Sequence, residues 1–334
     1  MPQTQTASIL SLNGLDGSNP LAFLTALGLL RTVEAVFPQH SSKLGWQNTE
    51  GAWRPFLELE GIDLEKEAFC DSLAGHLEAT LQLKMLDELG DNLTLSPCRF
   101  RAISLRHLKE ACLGNPESHV ALQYLACFGT DATHQPHSKD RTRMQDTALR
   151  TMSGAGHQHF IKFMRDIIAE TSTYQIYATL FESWRYADNG RGMNLRWDPI
   201  DDRRHAMRWK APTSDPAKSM RGANRLAIEA IPFFATAPVG NRLETTGFRT
   251  QRGSFWSWPI WDSPLNSDVI KCLLRQSNLT QLEMTTEQRE ILVARGVVTV
   301  FRSQRITVDK RRNFTPAQSV FGLYAAEKQN VSSS

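Results

Sequence analysis

Near its start, the chain changes from the two-residue hydrophobic period of a strand to the longer period of a helix. Residues 8–15 alternate between apolar and small polar side chains, which predicts a strand. Ser18 or Asn19 can cap the helix that follows, and Pro20 suits its first turn. Leucines then recur every three residues as the chain runs to about Phe37, which predicts a helix buried over a wide face. The first elements are therefore a strand, a turn and a buried helix.

Short strands and amphipathic helices follow one another without βαβ units. This pattern predicts an α+β fold of mixed helices and short antiparallel strands. We expect strands at 52–61 and within 246–259, and a hairpin at 297–308 that turns near residues 303–304. The predicted helices cover 64–89, 121–129, 157–172 with a continuation over 174–184, 223–235, 263–276 and 285–295.

The polar stretch 130–156 is the best candidate for a domain boundary or a long loop. It would separate a region at 1–150 from a region at 151–328, with a frayed tail at 329–334. Residues 1–150 contain 13 basic and 18 acidic side chains, and the rest of the chain contains 25 and 17, so the net charges are −5 and +8. This asymmetry favours a polyanion on the basic side and a protein contact on the acidic side. A single domain is the alternative.

Composition narrows the class of protein. The 334 residues are 41% hydrophobic and 22% charged, as in a folded globular chain. No apolar run is long enough to cross a bilayer and no signal peptide pattern follows Met1, so we expect no membrane contact. Five scattered cysteines without a CxxC pair indicate reduced thiols in the cytoplasm, without disulfides or structural zinc.

The segment "LRWDPIDDRRHAMRWKAP" at 195–212 mixes acidic, basic and aromatic side chains. Its acidic residues and histidine could form a metal or acid/base site, and they are Asp198, Asp201, Asp202 and His205. Cations outnumber them, however, and suit a phosphate backbone better. We call this set the basic strip, and it comprises Arg196, Arg203, Arg204, Arg208, Lys210, Lys218, Arg221 and Arg225.

We expect the aspartates to orient these arginines through ion pairs. Trp197 and Trp209 could stack on bases, but large aromatic residues more often hold a loop to the core.

Two further segments could bind anions. Small residues lead into the helix that begins near 157, where backbone N–H groups and a histidine could hold a phosphate, and the residues concerned are Ser153, Gly154, Gly156 and His157. A plain capped helix is the alternative there. The C-terminal hairpin follows a short helix, in the outline of a winged-helix element, and carries Arg302, Arg305, Lys310, Arg311 and Arg312. An edge hairpin kept soluble by charge is the alternative.

Catalytic and cofactor motifs do not occur in the sequence. There is no G-x-S-x-G, H-E-x-x-H, Walker or dinucleotide-binding fingerprint. Four histidines around the polar stretch have no recognised zinc spacing, and these are His134, His137, His157 and His159. We therefore expect a protein that is not an enzyme and that carries neither a cofactor nor a metal.

Five ordered segments resemble proteins of the type I-G (formerly I-U) CRISPR interference system. They are "GLDGSNPLAFLTALGLLR", "SGAGHQHF", "RWDPIDDRRHAMRW", "GANRLAIEAIPFF" and "GVVTVFRSQRI". The resemblance is to its large-subunit-like and helicase-nuclease-extension proteins and spans most of the chain. It implies a non-catalytic part of a crRNA-guided effector that meets nucleic acid or recruits the nuclease. An aromatic residue is expected where His205 stands, so the role of this position stays open.

The leading hypothesis is a nucleic-acid-binding subunit of a CRISPR effector. Its basic strip and C-terminal hairpin would contact the crRNA or target DNA backbone. Its other partners would be effector subunits and the helicase-nuclease. Two alternatives stay open. One is a metal-dependent nuclease or hydrolase that uses Asp198, Asp201, Asp202 and His205, and the other is a scaffold that binds only protein.

Overall fold

The computed structural model confirms the mixed α+β class and describes residues 7–78, 82–134, 142–152, 159–188, 194–201, 219–250, 253–308 and 311–322. Its helices are α1 (Pro20–Val36), α2 (Lys66–Glu78), α3 (Gln82–Glu88), α4 (Pro97–Cys112), α5 (Pro116–Phe128), α6 (Phe160–Glu170), α7 (Thr173–Phe181), α8 (Arg221–Glu229), α9 (Ser267–Leu274) and α10 (Thr286–Val293). Its strands are β1 (Ala7–Ser11), β2 (Ser42–Thr49), β3 (Ala52–Glu60), β4 (Gly129–His134), β5 (Met144–Asp146), β6 (Thr236–Val239), β7 (Arg242–Thr245), β8 (Phe248–Arg249), β9 (Ser254–Trp261), β10 (Val297–Val308), β11 (Arg311–Phe314) and β12 (Gln318–Gly322).

Helix α1 lies at the centre of the fold. Asn19 caps it by accepting hydrogen bonds from the N–H groups of Leu21 and Ala22, as the sequence predicts, and Pro20 occupies the first turn. The helix is buried over most of its circumference because nearly all its side chains are apolar. Gly28 lets α8 approach closely, since a methyl group at that position would overlap the carbonyl of Leu226.

Two antiparallel sheets flank this helix. The first has the strand order β1-β3-β2, and the second has the order β11-β10-β9-β8, with β12 also paired to β10. Strands β11 and β12 share one edge of β10 in succession, whereas β9 follows nearly the whole length of the other edge. The pairs β4-β5 and β6-β7 form small separate ladders.

An aromatic cluster joins the two sheets through α1. Phe23 stacks on Trp46 of β2 with ring centroids 5.8 Å apart, and it contacts three tryptophans of β9, namely Trp256, Trp258 and Trp261. All of these rings are fully buried. The hydrophobic core therefore contains residues from both of the regions predicted at 1–150 and 151–328.

The structure corrects one prediction about the C-terminal region. The predicted turn at residues 303–304 is wrong, because β10 is one continuous strand whose hairpin partner β11 begins at 311. Helix α10 does precede this hairpin. Strand β9 pairs with β10 only as far as Arg305, so the described residues of the hairpin beyond that point pair only with each other. The winged-helix outline of this element stays a prediction.

A charged network crosses the interior between α1, α5 and α8. Glu229 is fully buried and accepts hydrogen bonds from Arg225 (2.8 Å), Arg31 (2.7 Å) and the hydroxyl of Tyr124 (2.7 Å). Burial opposes ionisation of Glu229, but the two arginines outweigh it and hold the pKa of this carboxyl below its usual range. Buried charges need such pairing, because an isolated one costs several kcal/mol.

Removing this carboxylate should destabilise the fold. In Glu229→Ala, two guanidinium groups would face each other without a counter-charge, so we expect the free energy of unfolding to fall by about 3–5 kcal/mol. Urea denaturation measures this loss. The control is Glu117→Ala, which removes an exposed pair with Lys84 and should cost less than about 1 kcal/mol. Equal losses in the two variants would contradict the role of the network.

None of the helices within the described residues is long and apolar enough to cross a membrane.

Candidate functional site

Hydrogen bonds to residues elsewhere in the chain fix the path of segment 194–201. This segment links an arginine cluster to a surface pocket. The carbonyl of Leu195 accepts from the hydroxyl of Thr151 (2.7 Å). The indole N–H of Trp197 donates to the carbonyl of Leu149 (2.9 Å), and its ring packs edge-on against Phe160. Trp197 is fully buried, which confirms that it holds this segment to the core. Trp209 lies outside the described residues.

Three arginines lie near one carboxylate beside this segment. Arg150 forms an ion pair with Asp146, and both side chains are largely buried. Arg305 on β10 donates to the carbonyl of Ala148, two residues before Arg150. Arg312 lies on the paired strand β11, and the charges of Arg150 and Asp146 affect its pKa. We call these four charged residues the arginine cluster.

Burial and neighbouring charge both act on the proton affinities in the cluster. Burial, together with the charge of Arg312, lowers the pKa of Arg305 to about 10. Burial also lowers the pKa of Arg312, and Arg150 adds to that decrease. A bound anion would offset the repulsion between Arg305 and Arg312, so the cluster suits a phosphate.

Two of the predicted anion-binding segments begin at this cluster. Strand β11 packs against the 3₁₀ turn Pro199–Asp201, and the chain then enters residues 202–218. The side chain of Arg150 donates to the carbonyl of Met152, where the chain enters residues 153–158. The structure therefore places the entrances of both segments beside Arg305 and Arg312.

Much of the predicted site lies outside the described residues. This holds for the side chains of Asp201, Asp202, Arg203, Arg204, His205, Arg208, Lys210, Lys218, Lys310 and Arg311, and for Ser153, Gly154, Gly156 and His157. Of the four histidines around the polar stretch, the side chain of His134 and the residues His137 and His157 are outside them as well. Across the described ranges, no group of three or more His, Cys, Asp or Glu side chains could hold a metal ion.

Three other predicted contacts have structural roles away from the cluster. Arg225 is fully buried and bound to Glu229, so it does not face a backbone at the surface. Arg302 donates to Ser257 and to the carbonyls that follow the 3₁₀ turn at 277–280, so it fastens this loop to the sheet. Arg221 donates to the carbonyl of Glu170 at the end of α6. These residues add to the basic charge of the sequence but act as internal braces.

Arg196 begins the basic strip in a left-handed backbone conformation with φ of 56°. Its N–H donates to the side chain of Asn194. A non-glycine residue in this region costs energy, which the surrounding hydrogen bonds offset.

A pocket of about 440 Å³ lies at the N-terminus of α1. One side is formed by the turn at 14–19, and a second side by two half-buried aromatic residues, Trp184 and Tyr186. The third side consists of Pro199, with Pro316 and Ala317 from the link between β11 and β12. We call it the α1 pocket. Because Pro199 precedes the basic strip residues 203–218 and the link follows Arg312, the pocket adjoins the arginine cluster along the chain.

Asp198 lies buried behind this pocket. Its carboxylate accepts hydrogen bonds from Asn19 (3.2 Å), from the hydroxyl of Tyr186 (3.0 Å) and from the N–H of Ile200 (3.0 Å). Burial raises the pKa of Asp198 despite these bonds. The prediction that Asp198 orients a neighbouring arginine is wrong, since its partners in the described part of the chain are neutral. Asp198 is a structural link rather than an exposed acid.

Sequence reasoning missed several residues of the site. Asp146 and Arg150 lie in the polar stretch 130–156, where neither was singled out, although their four-residue spacing allows an ion pair. Trp184 and Tyr186 fall where a helix was expected to end, and no hydrophobic period marks them as residues that line a pocket. Their close spacing as two aromatics in an otherwise polar stretch was the available signal.

Neutralising the buried acid should leave the site intact and change how stability depends on pH. The raised pKa means that the folded protein binds a proton on Asp198 more tightly than the unfolded chain does. The protonated acid is therefore favourable at low pH, and that contribution disappears as the pH rises above the ordinary carboxyl value of about 4. In Asp198→Asn this loss should be absent. The free energy of unfolding of the variant should therefore rise relative to that of the wild type as the pH increases from acidic to neutral.

Urea denaturation across this pH range measures the effect. In contrast, Asp198→Ala leaves Asn19 and Tyr186 without their acceptor and should cost about 1–3 kcal/mol. If the wild type and Asp198→Asn showed the same pH profile, burial of this carboxyl would not be the cause.

Relieving the repulsion in the arginine cluster should stabilise the protein without ligand. Arg312→Met keeps the length of the side chain and removes one of three positive charges, so we expect a gain of about 0.5–1 kcal/mol in the free energy of unfolding. Arg99→Met on the exposed face of α4 is the control and should change stability by less than about 0.5 kcal/mol. A clear loss for Arg312→Met would show that its charge supports the fold.

No family model, curated protein or solved structure matched the chain. The family resemblance therefore rests on the five ordered segments of the sequence, and the function must be argued from the chemistry of the site.

Proposed function

We propose that this protein binds the phosphate backbone of a nucleic acid as a non-catalytic, cytoplasmic subunit of a crRNA-guided CRISPR effector. The single observation that supports this proposal best is the arginine cluster. Arg150, Arg305 and Arg312 lie close enough there for their charges to interact, next to the entrance of the basic residues 203–218. Positive charges that approach one another repel, and a bound anion offsets that repulsion.

The arrangement favours a polymer over a small anion. Beyond the cluster, residues 203–218 add five cations, namely Arg203, Arg204, Arg208, Lys210 and Lys218. A surface that continues from fixed arginines into a run of basic side chains suits successive phosphates of one strand. The crRNA or the target DNA would be that strand.

The CRISPR assignment comes from the sequence resemblance. Such a subunit would also contact other effector subunits or recruit the helicase-nuclease. The region at 1–150 supports a protein contact through its net charge of −5, and α4 with the residue that follows it adds exposed apolar side chains at Leu105, Leu108 and Leu113.

Salt dependence of binding tests the proposal. Fluorescence anisotropy with labelled single-stranded DNA and RNA should show an affinity that falls steeply between about 50 and 200 mM salt. Reversing Arg203, Arg204 and Arg208 to Glu should lower the affinity more than tenfold and reduce the slope by about 0.7 for each phosphate that the variant no longer neutralises. The control Arg99→Glu makes a single charge reversal on α4, in the region at 1–150, and should leave the slope unchanged.

Three outcomes would overturn parts of the proposal. An unchanged slope in the triple variant would remove the basic strip from the contact. Wild-type protein that keeps partner subunits but retains no RNA or DNA at low salt would be a scaffold that binds only protein. A tagged chain that is expressed with its neighbouring genes and purifies without crRNA would remove the CRISPR assignment.

A further inference from the structure

The α1 pocket has the size and shelter of a small-ligand site. Its volume of about 440 Å³ lies within the range of roughly 300–1,000 Å³ typical of such pockets. It also adjoins the arginine cluster through two short connections. Pro199 belongs to the 3₁₀ turn that packs on β11, and Pro316 lies two residues after the end of β11. A ligand that occupied both places would join an anionic group to a group that fits the pocket.

The aromatic wall of the pocket is fixed before any ligand arrives. The indole N–H of Trp184 donates to the carbonyl of Thr179 (3.0 Å), and the hydroxyl of Tyr186 donates to Asp198 (3.0 Å). The two rings meet edge to face with centroids 6.0 Å apart. Since their polar atoms are already bonded within the protein, the rings offer apolar faces. A rigid aromatic face of this kind favours stacking of a planar group, with little loss of side-chain entropy on binding.

Tyr186 is held there at an energetic cost. Its backbone has φ of 52°, in the left-handed region that non-glycine residues rarely occupy. The bond to Asp198 offsets part of this cost and fixes the direction of the ring.

The polar side of the pocket does not suit an anion. The first free N–H groups of α1 already donate to Asn19, and Pro20 has no N–H to offer. Asp16 adds a carboxylate, whose Oδ1 accepts from the N–H of Ser18 (3.0 Å). Its Oδ2 has no hydrogen bond to any residue within the described ranges. The pocket therefore excludes phosphate and offers an acceptor to a neutral group that carries N–H donors.

We propose that the α1 pocket receives one unpaired nucleobase that bears an exocyclic amino group. The base stacks on Trp184, and its amino group donates to Asp16. The phosphate of the same strand lies on the arginine cluster, outside the pocket. This inference rests on the proposed function and adds to it a site for a single base. Adenine, cytosine and guanine carry the required amino group, whereas thymine and uracil do not.

Binding of 2-aminopurine tests the proposal, because this fluorescent base carries an exocyclic amino group and loses emission when it stacks. The probe is a single-stranded thymidine oligonucleotide with one central 2-aminopurine, and the comparison is the same strand made only of thymidine. Wild-type protein should quench the probe and prefer it to the thymidine strand.

Two substitutions separate stacking from hydrogen bonding. Trp184→Leu should remove the quenching and weaken binding of the probe about 5- to 100-fold, with the salt slope unchanged because the phosphate contacts remain. Trp184→Phe keeps a ring and should restore most of the affinity. Asp16→Asn can offer either an acceptor or a donor, so it should reduce the preference over thymidine. The control Asp71→Asn removes the same charge from the exposed surface of α2 and should have no effect.

The outcomes distinguish this inference from the proposed function. If all variants bound both strands as the wild type does, with the same salt slope, the pocket would not receive a base although the protein would still bind nucleic acid. If wild-type protein bound neither strand at low salt, the inference and the proposed function would fall together. Thermal unfolding checks that each variant is folded. Should Trp184→Leu prove unfolded, Trp184→Phe and Asp16→Asn decide the question, since both keep the shape of the wall.

Discussion

The side-chain amide of Asn19 joins the central helix to the segment that carries the candidate site. Its oxygen accepts from the first N–H groups of α1, and its nitrogen donates to Asp198, which lies 179 residues away along the chain. Because α1 packs against both sheets, this one amide ties the position of segment 194–201 to the core. The α1 pocket, the 3₁₀ turn at 199–201 and the entrance of the basic strip all take their places from it. A polar side chain thus fixes the position of a surface site relative to the apolar core.

Two groups of charged side chains meet different electrostatic conditions. At Glu229, two arginines and a tyrosine satisfy one buried carboxylate. In the arginine cluster, Arg150 pairs with Asp146, while the charge of Arg312 adds to burial in lowering the pKa of Arg305. The first arrangement offsets the cost of burying charge, whereas the second includes repulsion that a ligand of opposite charge would offset.

The sequence predicted the local structure well where one signal decided it. The cap and first turn of α1, the strand at β3 and the buried role of Trp197 followed from capping chemistry, period and size. The predicted turn within β10 failed, because polar residues near 303 suggested a turn while pairing with β9 keeps the strand extended. Local polarity cannot reveal a neighbouring strand that comes from elsewhere in the chain.

Charge counting met a similar limit at the site. It identified Arg305 and Arg312, yet it grouped them with Arg225 and Arg302, whose guanidinium groups turn inward. Whether an arginine faces solvent depends on which carbonyl or carboxylate the fold places beside it. That depends on long-range packing, such as the approach of Ala148 to β10. The α1 pocket could not be predicted from the sequence for the same reason, because its formation also depends on long-range packing.

The walls of the α1 pocket come from residues near 16, near 185 and near 316. Contacts of such wide separation form late, because the loops between them must close first. A chain still emerging from the ribosome, with Pro316 not yet synthesised, has Asn19 and Trp184 but lacks the third wall. Formation of the pocket therefore requires that residues 316 and 317 have been synthesised and have folded against the segments near 16 and 185.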